Sequence, residues 1–221
     1  MNGEHKANKE IATMNQQNST ILPPLQAFDA LASFLREFLV CDDHQLTTLT
    51  LWIAHTWCFD SFREVPYLDI RSPQPQSGKT TCLRLLDVVC CNTALVTGAA
   101  PDVLKYRLLY GRSVAQIKRM VENPEQARKQ NQHWVHTTFL IDDYQHSFTA
   151  SERQALVAIL NCGTELAARY SYRDDDYFVT APKAFAGNTP LPESLASRCI
   201  PIILRRAKFS EPVKRFFPDD L

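Results

Sequence analysis

Net charge is the first thing this sequence lacks: 24 Lys and Arg face 24 Asp and Glu. No global field draws it toward nucleic acid, so any such binding must come from local patches. No CxxC pair occurs among the seven cysteines (Cys41, Cys58, Cys82, Cys90, Cys91, Cys162 and Cys199). Most lie in apolar runs where a free thiol packs as a small hydrophobe, which reads as a reduced cytosolic protein. His55 with Cys58, and His133 with His136, stand one helical turn apart, but neither has a second pair at zinc-site spacing, and core or surface histidines are the plainer account. The apolar run from Leu46 to Phe59 is too short, and too interrupted by Thr and His, to span a bilayer. The N-terminus, with Glu4, Lys6 and Lys9, lacks the apolar core of a secretory signal. There is no internal repeat. What remains is 221 residues, 45% hydrophobic and 22% charged, enough for one globular domain with a sizeable core.

Residues 1–20 are polar and read as a mobile tail. Pro23 and Pro24 mark the start of order. Leu25, Phe28, Leu31, Leu35 and Phe38 recur at three- and four-residue intervals and predict an amphipathic helix, while Leu46 to Phe59 is apolar on most sides and predicts a buried one. Together they form a helical N-terminal extension over 21–65. From Tyr67 apolar strand-like runs alternate with helical stretches: Tyr67 to Arg71, a helix after Lys79, Ala94 to Thr97, a helix over Pro101 to Tyr110, then Thr138 to Ile141. Such alternation predicts a parallel sheet covered by helices, with the core spanning 66–206 and a tail over 207–221. Gln116 to Gln132 is a polar segment read as a solvated helix pair broken at Asn123 and Pro124. A capped helix is expected from Ser151 through Leu160. Glu165 to Tyr172 and Tyr177 to Thr180 read as two strands joined by a polar turn at Arg173 to Asp176. Lys183 to Ala186 and Ile200 to Leu204 complete the strands.

The segment Pro73-Gln-Pro-Gln-Ser-Gly-Lys-Thr80 sits between a strand and a helix, where a phosphate-binding loop belongs. In such a loop successive backbone N–H groups and a helix N-terminus point at phosphates. Gln76, Ser77, Gly78, Lys79, Thr80 and Thr81 are the candidate binding residues. Gly78 allows close backbone approach, Lys79 neutralises β/γ charge, and the Thr80 hydroxyl ligates Mg²⁺. Pro73 stands where the pattern G-x-x-x-x-G-K-[ST] has its first glycine. The bland alternative is a helix N-terminus with no ligand.

Thr138 to Asp143 is an apolar strand ending in two carboxylates. Phosphoryl transfer needs a carboxylate to hold Mg²⁺ and a second acid to polarise the attacking water, so Asp142 takes the first role and Asp143 the second. Paired aspartates are also common in turns. The phosphate loop about sixty residues upstream is what gives this pair its meaning.

With these stretches in hand the sequence resembles the AAA+ ATPases over residues 21 to 206, and is most similar to the P-loop ATPase modules found beside primase modules in bacterial and mobile-element proteins. The resemblance rests on the helical lead-in, Ser72-Pro73 through Thr80, Phe139 to Asp143, Ala186-Gly187-Asn188, and Leu195-Ala196-Ser197-Arg198. In that group Ser-Pro commonly opens the loop, and Asp-Glu is the more usual acidic pair, so Asp143 argues against rapid hydrolysis. The resemblance implies that Asn188 is a polar sensor near the γ-phosphate, read otherwise as a turn residue before Pro190. It implies that Arg198 is inserted into a neighbour's site, read otherwise as a surface arginine.

The fold implied is a three-layer α/β P-loop domain with a helical N-terminal extension. Fifteen residues follow Arg206, too few for the helical lid of many AAA+ proteins. The implied function is an oligomeric ATPase that uses ATP and Mg²⁺ in DNA replication or mobile-element maintenance, as a homo-oligomer or with replication proteins. Expected DNA contacts are a hairpin around Arg169 and Arg173 and the basic run Arg205, Arg206, Lys208, Lys214, Arg215. The rival classes are a non-hydrolysing ATP-dependent switch, which fits Asp143, and a small-molecule kinase, for which no acceptor site is visible.

Overall fold

The computed structural model describes residues 23–98, 100–109, 137–144, 153–166 and 168–217. The expected tail over 1–20, the polar segment 116–132, the His133 and His136 pair and the cap at Ser151 lie outside them.

Helix α1 (Pro24–Phe38) begins with proline in its first turn, where the missing N–H has no helical partner to lose. Helix α2 (Asp43–Thr56) opens with a capping box: Gln45 N donates to Asp42 Oδ1 (2.8 Å), and Asp42 N donates to Gln45 Oε1 (3.1 Å). Strand β1 (Tyr67–Arg71) leads into helix α3 (Lys79–Val89), followed by β2 (Thr93–Thr97), α4 (Pro101–Leu109) and β3 (Thr138–Asp142). Helix α5 (Arg153–Cys162), the hairpin β4 (Arg169–Tyr172) and β5 (Asp175–Phe178), strand β6 (Lys183–Gly187), the short helix α6 (Glu193–Ala196) and β7 (Cys199–Ile203) complete the described chain.

Five strands form one parallel sheet in the order β2-β3-β6-β1-β7, and β4-β5 form a separate antiparallel ribbon. Side chains alternate across a strand, so each central strand feeds two cores. Leu68, Ile70, Leu140, Ala184, Ala186 and Ile202 face one side, where they meet α1, α2 and α3. Tyr67, Phe139, Ile141 and Phe185 face the other, against α4, α5 and α6. The result is a five-stranded parallel sheet flanked by helices on both faces, a three-layer α/β architecture. The N-terminal helices α1 and α2 share the α3 core and are packed as part of the same layer system.

Two details differ from expectation. Asp175 and Asp176 belong to β5, and the turn is Arg173-Asp174, with Arg173 at φ 56°. Bonds within the ribbon, such as Ser171 Oγ to Asp176 Oδ1 (2.6 Å), outweigh the poor strand propensity of aspartate. Helix α2 is not buried all round: Leu51 is exposed, as is Trp57 at its C-terminal end.

Lys183 is fully buried at the start of β6. Its ammonium has three donors and places them on Tyr67 Oη (3.0 Å), Val179 O (3.0 Å) and Ala181 O (3.1 Å). Gly163 covers this cage so closely that a methyl group there would sit 2.6 Å from Tyr67 Oη. No described helix is long and apolar enough to cross a membrane.

Candidate functional site

The chain leaves β1 at the carboxyl edge of the sheet and turns into α3 through Ser72 to Gly78. Ser72 Oγ closes a local turn, accepting from Gln74 N at 3.1 Å. The left-handed residues are Gln76 (φ 57°) and Gly78 (φ 89°), not residue 73, so the fixed negative φ of Pro73 is compatible with the loop. Left-handed residues amid right-handed ones turn successive N–H groups toward one side and make an anion-receptive concavity.

Three local rules are broken together at the start of α3. Its N-cap, Gly78, has no side chain to satisfy the first amides, so the N–H groups of Lys79, Thr80 and Thr81 point outward. A good cap contributes about 1 kcal/mol. The first turn holds no acid, and Lys79 sits at its first position, against the helix dipole, which opposes it by roughly 0.3–1 kcal/mol. Gln76 adds left-handed strain of about 1 kcal/mol or more. Local violations concentrated at one point mark a functional site, and one anion placed there would offset all three. The Lys79 ammonium has only a long contact, 3.4 Å to Ser77 Oγ, and no carboxylate partner among the described residues.

Across from the loop, β3 delivers Asp142, which is only 7% exposed. Thr80 Oγ1 donates to its Oδ2 at 3.0 Å, and the Asp143 amide donates to its Oδ1 at 3.0 Å. No described cation lies within ion-pair distance of this buried carboxylate, an arrangement that ordinarily demands one. No cluster of three or more His, Cys, Asp or Glu that could hold a metal occurs among the described residues. The protein therefore offers two oxygen ligands, Asp142 and Thr80. That set suits Mg²⁺, which keeps its waters and takes one or two protein oxygens plus phosphate, and does not suit zinc. Asp143 follows in a left-handed conformation (φ 52°), half-exposed at the rim.

Strand β6 lies between β1 and β3, and Arg71 pairs with Gly187 while Asp142 pairs with Ala186. Asn188, the next residue, thus stands on the same rim between the loop and the acidic pair. The structure brings together Gln76, Ser77, Gly78, Lys79, Thr80, Thr81, Asp142, Asp143 and Asn188 along this carboxyl edge. Arg198 is elsewhere. Its carbonyl accepts from Tyr67 N, at the opposite edge of the sheet, and its Nη1 donates to Ser194 O at 2.7 Å. The four residue steps of β1 separate these edges by about 13 Å, so Arg198 does not reach the loop of its own chain.

Two groups, Asp69 and Tyr144, escaped the sequence reading. Asp69, 1% exposed in mid-sheet, lies 2.8 Å from Arg71 Nε as an ion pair, and its Oδ1 has no hydrogen-bond partner. Burial pushes its carboxyl above the ordinary range, against the pull of Arg71. Two charged residues at i and i+2 within an otherwise apolar strand were the available signal, since that spacing puts them on one face. Tyr144, directly after the acidic pair, is buried and donates its hydroxyl to Thr189 O, beside Asn188. His55 packs on Phe62, and burial lowers its pKa. In the basic run Arg205 is committed to Glu211 at 2.6 Å and Lys214 to Glu37 at 2.7 Å. The hairpin cations stack on rings, Arg169 over Phe178 and Arg173 over Tyr172, each at 5.2 Å. No family model matches the chain, and no curated protein matches it.

Proposed function

We propose that this chain is a P-loop ATPase of the AAA+ type that binds ATP with Mg²⁺ at the carboxyl edge of its sheet. The observation that carries the reading is the pairing of an uncapped, lysine-bearing helix N-terminus with a buried Asp142 that has no cation partner among the described residues, joined through Thr80. Among the described residues each half lacks its counter-charge: the helix lacks an anion and the carboxylate lacks a cation. A metal-bound polyphosphate provides both.

In this reading the amides of Gly78 to Thr81 and the Lys79 ammonium bind the β- and γ-phosphates. Thr80 and Asp142 would hold Mg²⁺, which when bound neutralises phosphate charge. Asn188 orients a water, and Asp143 accepts its proton as the water oxygen bonds to the γ-phosphorus and the bond to the β–γ bridging oxygen breaks. The phosphate leaves on one side and ADP on the other. Arg198, stranded on the far edge of its own sheet, serves only a neighbouring subunit, which motivates an oligomer. The place in DNA replication or mobile-element maintenance rests on the resemblance alone. DNA contacts fall to the cations of the basic run whose side chains form no described ion pair, Arg206, Lys208 and Arg215.

The test is ATP affinity with and without Mg²⁺ for wild type and Lys79→Ala, together with phosphate release across protein concentrations. Tight, Mg²⁺-dependent binding that Lys79→Ala abolishes is expected. Equal affinity in a folded Lys79→Ala protein sinks the proposal. Activity per subunit that stays constant on dilution removes the role of Arg198. ATP binding without turnover would favour the alternative of an ATP-dependent switch, which the shorter Asp143 carboxylate also fits.

A further inference from the structure

The segment after β7 does not leave the domain. It turns back at Lys208 to Glu211, where Glu211 N donates to Lys208 O at 2.9 Å and Glu211 Oε2 accepts from Lys208 N at 2.9 Å. The Arg205 guanidinium grips the same carboxylate through two 2.6 Å bonds and holds its pKa down at about 2. The chain then crosses to α1. Lys214 engages Glu37 twice, with its backbone N–H on Glu37 O (2.8 Å) and its ammonium on Oε2 (2.7 Å). Phe216 is buried and closes over the helix, edge to face with the half-buried Phe38 at 5.3 Å and Phe34 at 6.4 Å.

Helix α1 ends one residue later, at the loop. Leu39, its C-cap, is buried, and a methyl group built on Gly78 would lie 3.6 Å from Leu39 Cδ2. Leu39 thus lies over the open side of the left-handed glycine whose conformation sets the direction of the outward amides. Gln45 ties the next helix to the same region by donating from Nε2 to Ile203 O at 2.8 Å. Phe216 is therefore linked through the ring of Phe38 and the next residue, Leu39, to the side of Gly78.

We propose that Leu39 and Phe216 are positioning residues for the phosphate loop, with residues 205–217 acting as a strap that holds α1 against Gly78. An isolated loop with two left-handed residues has many conformations to lose on binding an anion, and a packed wall behind Gly78 removes part of that loss beforehand. The strap does not touch a ligand. It acts through α1, and its release loosens the loop while leaving the sheet intact. The affinity consequence rests on the nucleotide reading above, whereas the loop consequence does not.

The experiment therefore has two arms on the full chain, for wild type, Phe216→Ala, Phe216→Leu, Lys214→Glu and the reversed pair Glu37→Lys with Lys214→Glu. In the nucleotide-free protein, amide exchange is followed at Cys82, whose N–H bonds to Gly78 O, and at the buried β3 strand as the global control. Phe216→Ala should speed exchange at Cys82 about tenfold with β3 unchanged, the signature of a local opening. Phe216→Leu and the reversed pair should restore most of the protection. In the second arm, affinity for ATP with Mg²⁺ should fall about three- to tenfold in Phe216→Ala and recover in Phe216→Leu. If Phe216→Ala fails to fold, the milder Lys214→Glu carries the same comparison. Free exchange over 208–217 with Cys82 still protected as in wild type overturns the proposal. Absent ATP binding in wild type sinks the nucleotide reading and leaves the exchange arm to decide the strap.

Discussion

Asp142→Asn should make the free protein more stable and its Mg²⁺-dependent loading with ATP much weaker. In the wild type, Asp142 is 7% exposed, accepts from Thr80 Oγ1 and from the Asp143 amide at 3.0 Å each, and has no described cation partner. Asparagine has the same shape. Its Oδ1 accepts the Asp143 amide, and its Nδ2 donates to Thr80 Oγ1, since a hydroxyl accepts as readily as it donates. Both hydrogen bonds survive while an uncompensated buried charge disappears. The expected gain is about 1 kcal/mol at neutral pH, or roughly 2–4 °C in melting temperature for a domain of this size. The same change removes the one buried carboxylate that pairs with Thr80, so Mg²⁺-dependent ATP affinity should fall by about a hundredfold, the effect of losing a metal ligand and its charge. Differential scanning calorimetry without ligand and titration calorimetry with ATP, in Mg²⁺ and in EDTA, read the two signs separately. A loss of more than about 2 kcal/mol in the free protein would show that the carboxylate is structural. Unchanged Mg²⁺-dependent affinity would show that the metal is held elsewhere.

Asp143→Asn should bind ATP as wild type does and lose phosphate release in a single-turnover assay, whereas Asp143→Glu should raise the rate; if neither changes turnover, Asp143 is not the base. Gly163→Ala should destabilise by about 2–3 kcal/mol, a melting decrease of roughly 4–12 °C. A methyl there meets Tyr67 Oη and Val179 O at 2.6 Å and Lys183 Nζ at 2.8 Å; an unchanged melting temperature would mean that the Lys183 cage is not rigid. For Asp69, whose folded pKa is raised by burial, folding favours the protonated form. Its contribution is greatest at low pH and is lost as pH rises from the ordinary aspartate value through the folded one. The stability of wild type minus that of Asp69→Asn, from urea unfolding between pH 4 and 7, should fall with rising pH, and a flat or rising difference contradicts the shift.

The sheet was legible because its strands are written in the simplest code. Thr138 to Asp142 and Lys183 to Gly187 are buried on both faces and read as near-continuous apolar or small runs between polar segments. Boundaries were less legible where a tertiary or cross-strand contact overrode propensity. Three consecutive aspartates look like a turn, yet two of them form β5, because Tyr170 pairs with Tyr177 and Ser171 bonds Asp176. Helix α2 read as buried because Leu46 to Phe59 is apolar on most sides, and its threonine hydroxyls bond back to helix carbonyls, Thr50 to Leu46 O and Thr47 to Asp43 O. That self-satisfaction says nothing about which side faces water, and Leu51 proves exposed.

The candidate site was readable for the opposite reason. Lys79 at a helix start, Gly78 as a bare cap and two carboxylates at a strand end each violate a local rule, and violations stand out in a sequence. Leu39 and Phe216 violate nothing. One is a leucine at a helix end and the other a phenylalanine in a segment without periodicity, so their joint effect on Gly78 exists only once the chain has folded back. Asp69 falls between these cases: a charge inside an apolar strand breaks a rule, but Arg71 two residues later restores it on the same face. A local violation with its compensation nearby in sequence reads as a structural pair, and one whose compensation is missing reads as a site. By that criterion Asp142 and Lys79, buried or half-buried without opposite charges among the described residues, are the two positions where this chain most needs a ligand that carries both signs.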